Sequence, residues 1–225
     1  MLHLYHLGCY CTPGLIINGI LKQTEKTLFM LGIYNIDGIT AYLENDNLDE
    51  IYDLSSYTQH PSLENYIIHN KYNIQLNHDF KFKNKIVINN EKIVARFKEK
   101  VDNWRTMCAS SQPVVFLHIC ESVNKQEILK FMHLMERKRI NVYIICLALS
   151  IPENINHPHI SCKQLETHKE FTINPWDAPN DTVRLDIAVE QYAKFIESLT
   201  DLNIKHDYPP MFTPDMGIGV YLKGR

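Results

Sequence analysis

Cys11 stands where a short apolar segment, residues 2–7, gives way to Thr12-Pro13. A hydroxyl residue followed by proline is a helix start: the side-chain oxygen caps a free amide, and the fixed φ of proline suits the first helical position. The spacing therefore places Cys11 at the amino end of a helix. Unpaired amide hydrogens and the positive end of the helix dipole there favour a thiolate over a thiol. This is the chemistry of a nucleophile acting near neutral pH, and the competing reading is a small buried filler residue. At such a helix start the backbone amides of Cys11 and Thr12 are the natural donors to an oxyanion.

A cysteine nucleophile needs a base that takes its proton and returns it to the leaving group, and histidine suits that task. Of the eleven histidines, two stand out. His78 lies in the polar run Asn77-His78-Asp79, set between apolar Ile74, Leu76 and Phe80, with Asp79 beside it as a carboxylate that could orient the ring. His118 ends an apolar run on the expected functional edge, a place where a structural histidine is the commoner occupant. Asp37 is a second-tier carboxylate for the orienting role. The cluster His157-x-His159-x-x-Cys162 with His168 nearby, and Cys9-x-Cys11, match no strong zinc spacing, so no metal site is assigned. Neither glycine-rich phosphate-loop pattern occurs, and no cofactor is implied.

These residues must be held by the surrounding elements. Apolar periodicity predicts a strand over 2–7, then a helix carrying Leu15, Ile16 and Ile20, with Gly14 and Gly19 allowing close packing. A short strand is expected over 26–31 and a short helix over 37–43. Signals conflict from 49 to 77, which reads as loops and short helices covering one edge of the core. A short strand follows at 86–88, and an amphipathic helix at 91–107 carries Val94, Phe97, Val101 and Trp104 on one face. Strand 113–119, helix 125–136 and strand 142–149 are the clearest run. The basic triplet Arg137-Lys138-Arg139 falls at the end of that helix, where cations complement the dipole. A last strand is expected at 171–173 and a long helix at 182–199.

Alternation of this kind, with apolar runs buried on both faces, predicts an α/β fold: three layers, a mostly parallel central sheet and helices on both faces. In such sheets the functional crevice lies outside the carboxyl ends of the strands. Cys11 shares that edge with His118, Glu121 and Ser122, and with residues 149–153.

At 225 residues the chain suffices for one domain over 1–200 with an extension over 201–225. A formal net charge of −3 with dispersed basic residues offers no general attraction to nucleic acid or to anionic membranes. No segment has the pattern of a secretory signal or a membrane span, so a cytoplasmic protein is expected. The six cysteines lie mostly in or beside apolar runs, which predicts reduced thiols. A composition this rich in Ile, Asn and Lys suggests an AT-rich genome, as in some viruses and bacteria.

The order of several motifs carries a further resemblance. Leu7-Gly8-x-x-Cys11, then His78-Asp79-Phe80, then a basic-apolar helix with Arg96-Phe97 and Trp104, then Pro113-Val114-Val115-Phe116-Leu117 resembles the putative papain-like cysteine peptidase family over about residues 2–149. The resemblance implies Cys11 as nucleophile, His78 as base, and a peptide or other acyl substrate. It also implies, as an alternative, a papain-like α+β fold. Two departures stand out. Where relatives carry an Asp-Trp pair after the first helix, this chain has Phe29-Met30, and an arginine common after the apolar strand is here His118. A non-catalytic protein-binding module, with Trp176, Tyr208 and Phe212 as a contact surface, is the reading these departures support.

Overall fold

The computed structural model describes residues 3–7, 28–29, 32–45, 47–62, 66–76, 82–83, 86–87, 91–110 and 112–164. Its centre is a four-stranded parallel sheet built from β1 (His3–His6), β8 (Val114–Ser122), β9 (Val142–Ser150) and β10 (Ile160–Gln164), in that spatial order. All three pairings are parallel, with His3 opposite Val114, Val114 opposite Val142 and Ile160 opposite Ile144. Strands β8 and β9 are nine residues each and buried along most of their length, as strands covered on both faces must be. The α/β class and the mostly parallel sheet agree with the sequence reading.

Two long helices, α2 (Glu91–Ala109) and α3 (Lys125–Arg137), pack on one face of this sheet. Trp104 of α2 meets Tyr5 edge-on at 5.6 Å, and Phe131 of α3 meets Phe116 edge-on at 5.1 Å. Their sharing of one face follows from topology. A crossover between parallel strands is right-handed, and both β1-to-β8 and β8-to-β9 step across the sheet in the same direction, so their helices land on the same side. Alternation along the strands divides the core accordingly. Tyr5, Val114, Phe116, Cys120, Ile144 and Cys146 join the cluster under these helices, while Leu4, Val115, Leu117, Ile145 and Leu147 are buried on the opposite face. Burial of both faces is what a three-layer arrangement requires.

The segment expected to be loops and short helices does contain both, and it also supplies three short strands to a second sheet that the sequence reading did not include. Strands β2 (Gly32–Ile33), β5 (Gln75–Leu76), β4 (Ile67–His69) and β3 (Tyr57–Gln59) form an antiparallel sheet in that order. Each strand is only two or three residues long, too short for alternation to register in the sequence. Short 3₁₀ turns at Leu48–Tyr52 and Leu54–Ser56 precede β3, as expected. The strand expected over 26–31 is also corrected: Leu28 and Phe29 lie in a fully buried turn, and the strand begins at Gly32. A two-stranded hairpin pairs β6 (Phe82–Lys83) with β7 (Ile86–Val87).

Helix α1 (Ile36–Glu44) is opened by Asn35, whose Oδ1 accepts from the Gly38 amide at 2.6 Å. Helices α1 and α3 run side by side in the same direction. Asp37 pairs with Lys130 at 3.2 Å and Glu44 with Arg137 at 2.8 Å, the second pair lying seven residues beyond the first on both helices. An aromatic relay runs from α2 to the turn after β4: Phe29 packs on Trp104 at 5.8 Å and on Tyr42 at 6.4 Å, and Tyr42 on Tyr72 at 5.4 Å. The first helix expected after Pro13, the strand at 171–173, the helix at 182–199 and the extension over 201–225 lie outside the described residues.

Candidate functional site at the carboxyl end of the parallel sheet

Strand β1 stops well before its neighbour. Its paired residues end at His6 opposite Leu117, whereas β8 continues to Ser122 beside β9. The Leu7 amide still donates to the Leu117 carbonyl at 2.9 Å, and there the strand pairing ends. Leu7 is fully buried and stands four residues before Cys11. The chain thus enters the Leu-Gly-x-x-Cys segment from the carboxyl edge of the sheet.

The next interaction along this edge comes from a side chain. His118 Nδ1 lies 2.6 Å from the Leu7 carbonyl oxygen. A carbonyl only accepts, so Nδ1 carries the proton and the neutral ring presents Nε2 as its unprotonated nitrogen. Burial pushes the His118 pKa down to about 4, and the bond to Leu7 opposes this only in part. His118 is therefore uncharged at neutral pH and committed through Nδ1 to the backbone of β1. It is a structural clasp on the strand that leads to Cys11. On the other face of β1, His6 is fully buried at the same strand end, a placement that its position within an apolar run does not reveal.

The remaining edge residues are solvated. Glu121 and Ser122 are exposed at the end of β8, and the Val123 amide donates to Ser150 of β9 at 3.0 Å. Asn124 then caps α3, its Oδ1 accepting from the amides of Gln126 and Glu127 at 3.1 and 3.3 Å. Asp37 is half-exposed, and its carboxylate is taken by Lys130. Glu127, in the first turn of α3, is held above the ordinary carboxyl range by burial, with the charge of Asp37 adding to the effect.

Cys11, Thr12, His78 and Asp79 lie outside the described residues. Their flanks do not. Cys11 follows the anchored end of β1, and His78 follows Leu76, the last residue of β5, by two positions. Leu76 pairs with both Gly32 and Ile67, so β5 is central in the small sheet. Position 29, where the resemblance expects aspartate, is an apolar core position: Phe29 is fully buried against Tyr34, Tyr42 and Trp104.

The histidine-rich segment considered for zinc is engaged elsewhere. The His159 ring stacks on Tyr143 at 4.5 Å, His157 Nε2 lies 3.6 Å from Glu136, and Cys162 pairs in register with Cys146. Among the described residues, no group of three or more His, Cys, Asp and Glu side chains is gathered to hold a metal ion. Among the same residues, no helix is long and apolar enough to cross a membrane.

A parallel α/β sheet whose first strand is fastened at Leu7, four residues before a cysteine in the sequence, defines an α/β protein with a candidate thiol site. The comparison with family models is consistent with this: residues 3–147 match the model described as Putative papain-like cysteine peptidase (DUF1796), and the chain belongs to that family. Neither a curated protein nor a solved structure was found to match the chain.

Proposed function

We propose that this protein is a cysteine-nucleophile hydrolase of peptidase type. The Cys11 thiolate attacks the acyl carbon of a peptide or related substrate, with His78 accepting the thiol proton and returning it to the leaving group. The amides of Cys11 and Thr12 receive the oxyanion, and water then releases the acyl group from sulfur, with Asp79 orienting His78. One observation carries this reading above the others: the family match, over residues 3–147, spans both Cys11 and His78. The anchored strand end at Leu7 supports it, because a nucleophile needs a fixed point of departure from the scaffold.

The buried Phe29 favours a second reading, a non-catalytic binding module in which the thiol site has lost its third member. One experiment separates the two. Iodoacetamide labelling across pH, read cysteine by cysteine by mass spectrometry, is expected to show Cys11 reacting through a thiolate formed below the ordinary thiol pKa of about 8.5. His78→Ala should slow that reaction. If Cys11 reacts no faster than an ordinary thiol, and Cys11→Ala and His78→Ala leave every measurable activity intact, the hydrolase reading is lost.

A further inference from the structure

Cys146 and Cys162 are register partners on the neighbouring parallel strands β9 and β10, and both are free thiols. Residues opposite each other on adjacent strands project to the same face. The two side chains are therefore neighbours on one face of the sheet. Adjacent strands lie about 4.8 Å apart, within the Cα separation of about 4.4–6.8 Å that a disulfide spans. Cys146 is fully buried, and Cys162 is half-buried on the outermost described strand of the sheet. Cys120, on the other side of β9, is in register with Ala148 and so is offset from Cys146 by two positions.

We propose that Cys146 and Cys162 are a peroxide-responsive dithiol that closes into a disulfide fastening β10 to the parallel sheet. Cys162 is the sulfur that peroxide reaches, and Cys146 is the sulfur that resolves. The Cys162 thiolate attacks one peroxide oxygen, the O–O bond breaks, and hydroxide leaves, giving a sulfenic acid on Cys162. Cys146 then gives up its proton, its sulfur attacks the Cys162 sulfur, and the S–O bond breaks with loss of water. In sum the two thiols surrender two electrons and two protons, and hydrogen peroxide becomes two waters.

The interaction between the two thiols draws the Cys162 pKa down, and the same interaction together with burial pushes Cys146 up. Cys108 provides an internal contrast, its thiol pushed up to about 11 by burial. The pair lies on β9 and β10, which β8 separates from β1, and its chemistry uses none of the residues of the proposed hydrolase reaction.

The test treats the full chain with hydrogen peroxide and maps peptides under non-reducing conditions. A Cys146–Cys162 linked peptide is expected, reversed by dithiothreitol and absent in Cys162→Ser. Cys146→Ala should instead leave Cys162 as a sulfenic acid that a 1,3-diketone probe traps. Alkylation of Cys162 should exceed that of Cys108 at least about tenfold near neutral pH. Linkage of Cys146 to Cys120, Cys162 oxidised without linkage, or Cys162 no more reactive than Cys108 would overturn the proposal. Because each cysteine is read separately, an inert Cys11 would count against the hydrolase reading and not against this one.

Discussion

The imidazole of His118 and the carbonyl of Leu7, 2.6 Å apart, fasten the carboxyl end of β1 to β8 where their strand pairing stops. Removing the ring leaves a buried carbonyl without this donor and opens a cavity. His118→Ala is therefore expected to cost about 2–4 kcal/mol in denaturant unfolding. If the anchor positions the segment that leads to Cys11, the same variant should slow Cys11 alkylation while leaving Cys108 unchanged. Equal rates at Cys11 in both proteins would confine His118 to stability alone.

The same histidine makes stability depend on pH. Its folded pKa of about 4 lies below the ordinary value of 6.5, so between these values the unfolded chain binds more protons than the folded one. Stability from this group is complete above about pH 6.5, falls as pH drops toward 4, and changes no further below. The shift corresponds to about 3 kcal/mol. His69, whose pKa burial also lowers, acts in the same direction. Unfolding measured at intervals from pH 7 to 4 should show a steeper loss for the native chain than for His118→Leu.

Asp37 tests the assignment of the orienting carboxylate. It is half-exposed and paired with Lys130, a contact that contributes no more than about 0.5 kcal/mol on the surface. Asp37→Asn should therefore change stability little and leave the alkylation rate of Cys11 as it is. A large fall in that rate would place Asp37 in the site after all.

Helix ends offer independent checks on the scaffold. Asn124→Ala removes the acceptor for two amides of α3 and should cost about 1 kcal/mol by thermal unfolding. Arg139, just past the end of α3, has a φ of 60°, a left-handed conformation that glycine adopts without strain. Arg139→Gly should be neutral or stabilising by up to about 1 kcal/mol, since relief of strain outweighs the added freedom of the unfolded chain.

Gly38 is fixed by close approach, not by helix propensity. A Cβ there would run into the Tyr72 carbonyl oxygen and the Asn35 capping oxygen. Gly38→Ala, which would stabilise an isolated helix, should here destabilise by about 1–3 kcal/mol. A rise in melting temperature would show that the contact between α1 and the turn after β4 is looser than this geometry.

Residue periodicity alone determined the long elements. The strands near 114 and 142, the helices near 91, 125 and 37, and the parallel α/β class follow from apolar runs and amphipathic faces long enough to record their period. Position 11 before Thr12-Pro13, and the ordered motifs through His78, likewise nominate the candidate thiol site from sequence. The antiparallel sheet over residues 32–76 depends on tertiary structure, because its strands of two or three residues are stabilised by one another and by the aromatic relay through Phe29 and Tyr42. Three further relationships also arise only on folding. The bond from His118 to Leu7 spans 111 positions, the partnership of Cys146 and Cys162 needs the register of β9 against β10, and the crowding at Gly38 comes from Tyr72. Local pattern reports which face of an element is apolar, whereas the atom that meets that face is set by how distant segments pack.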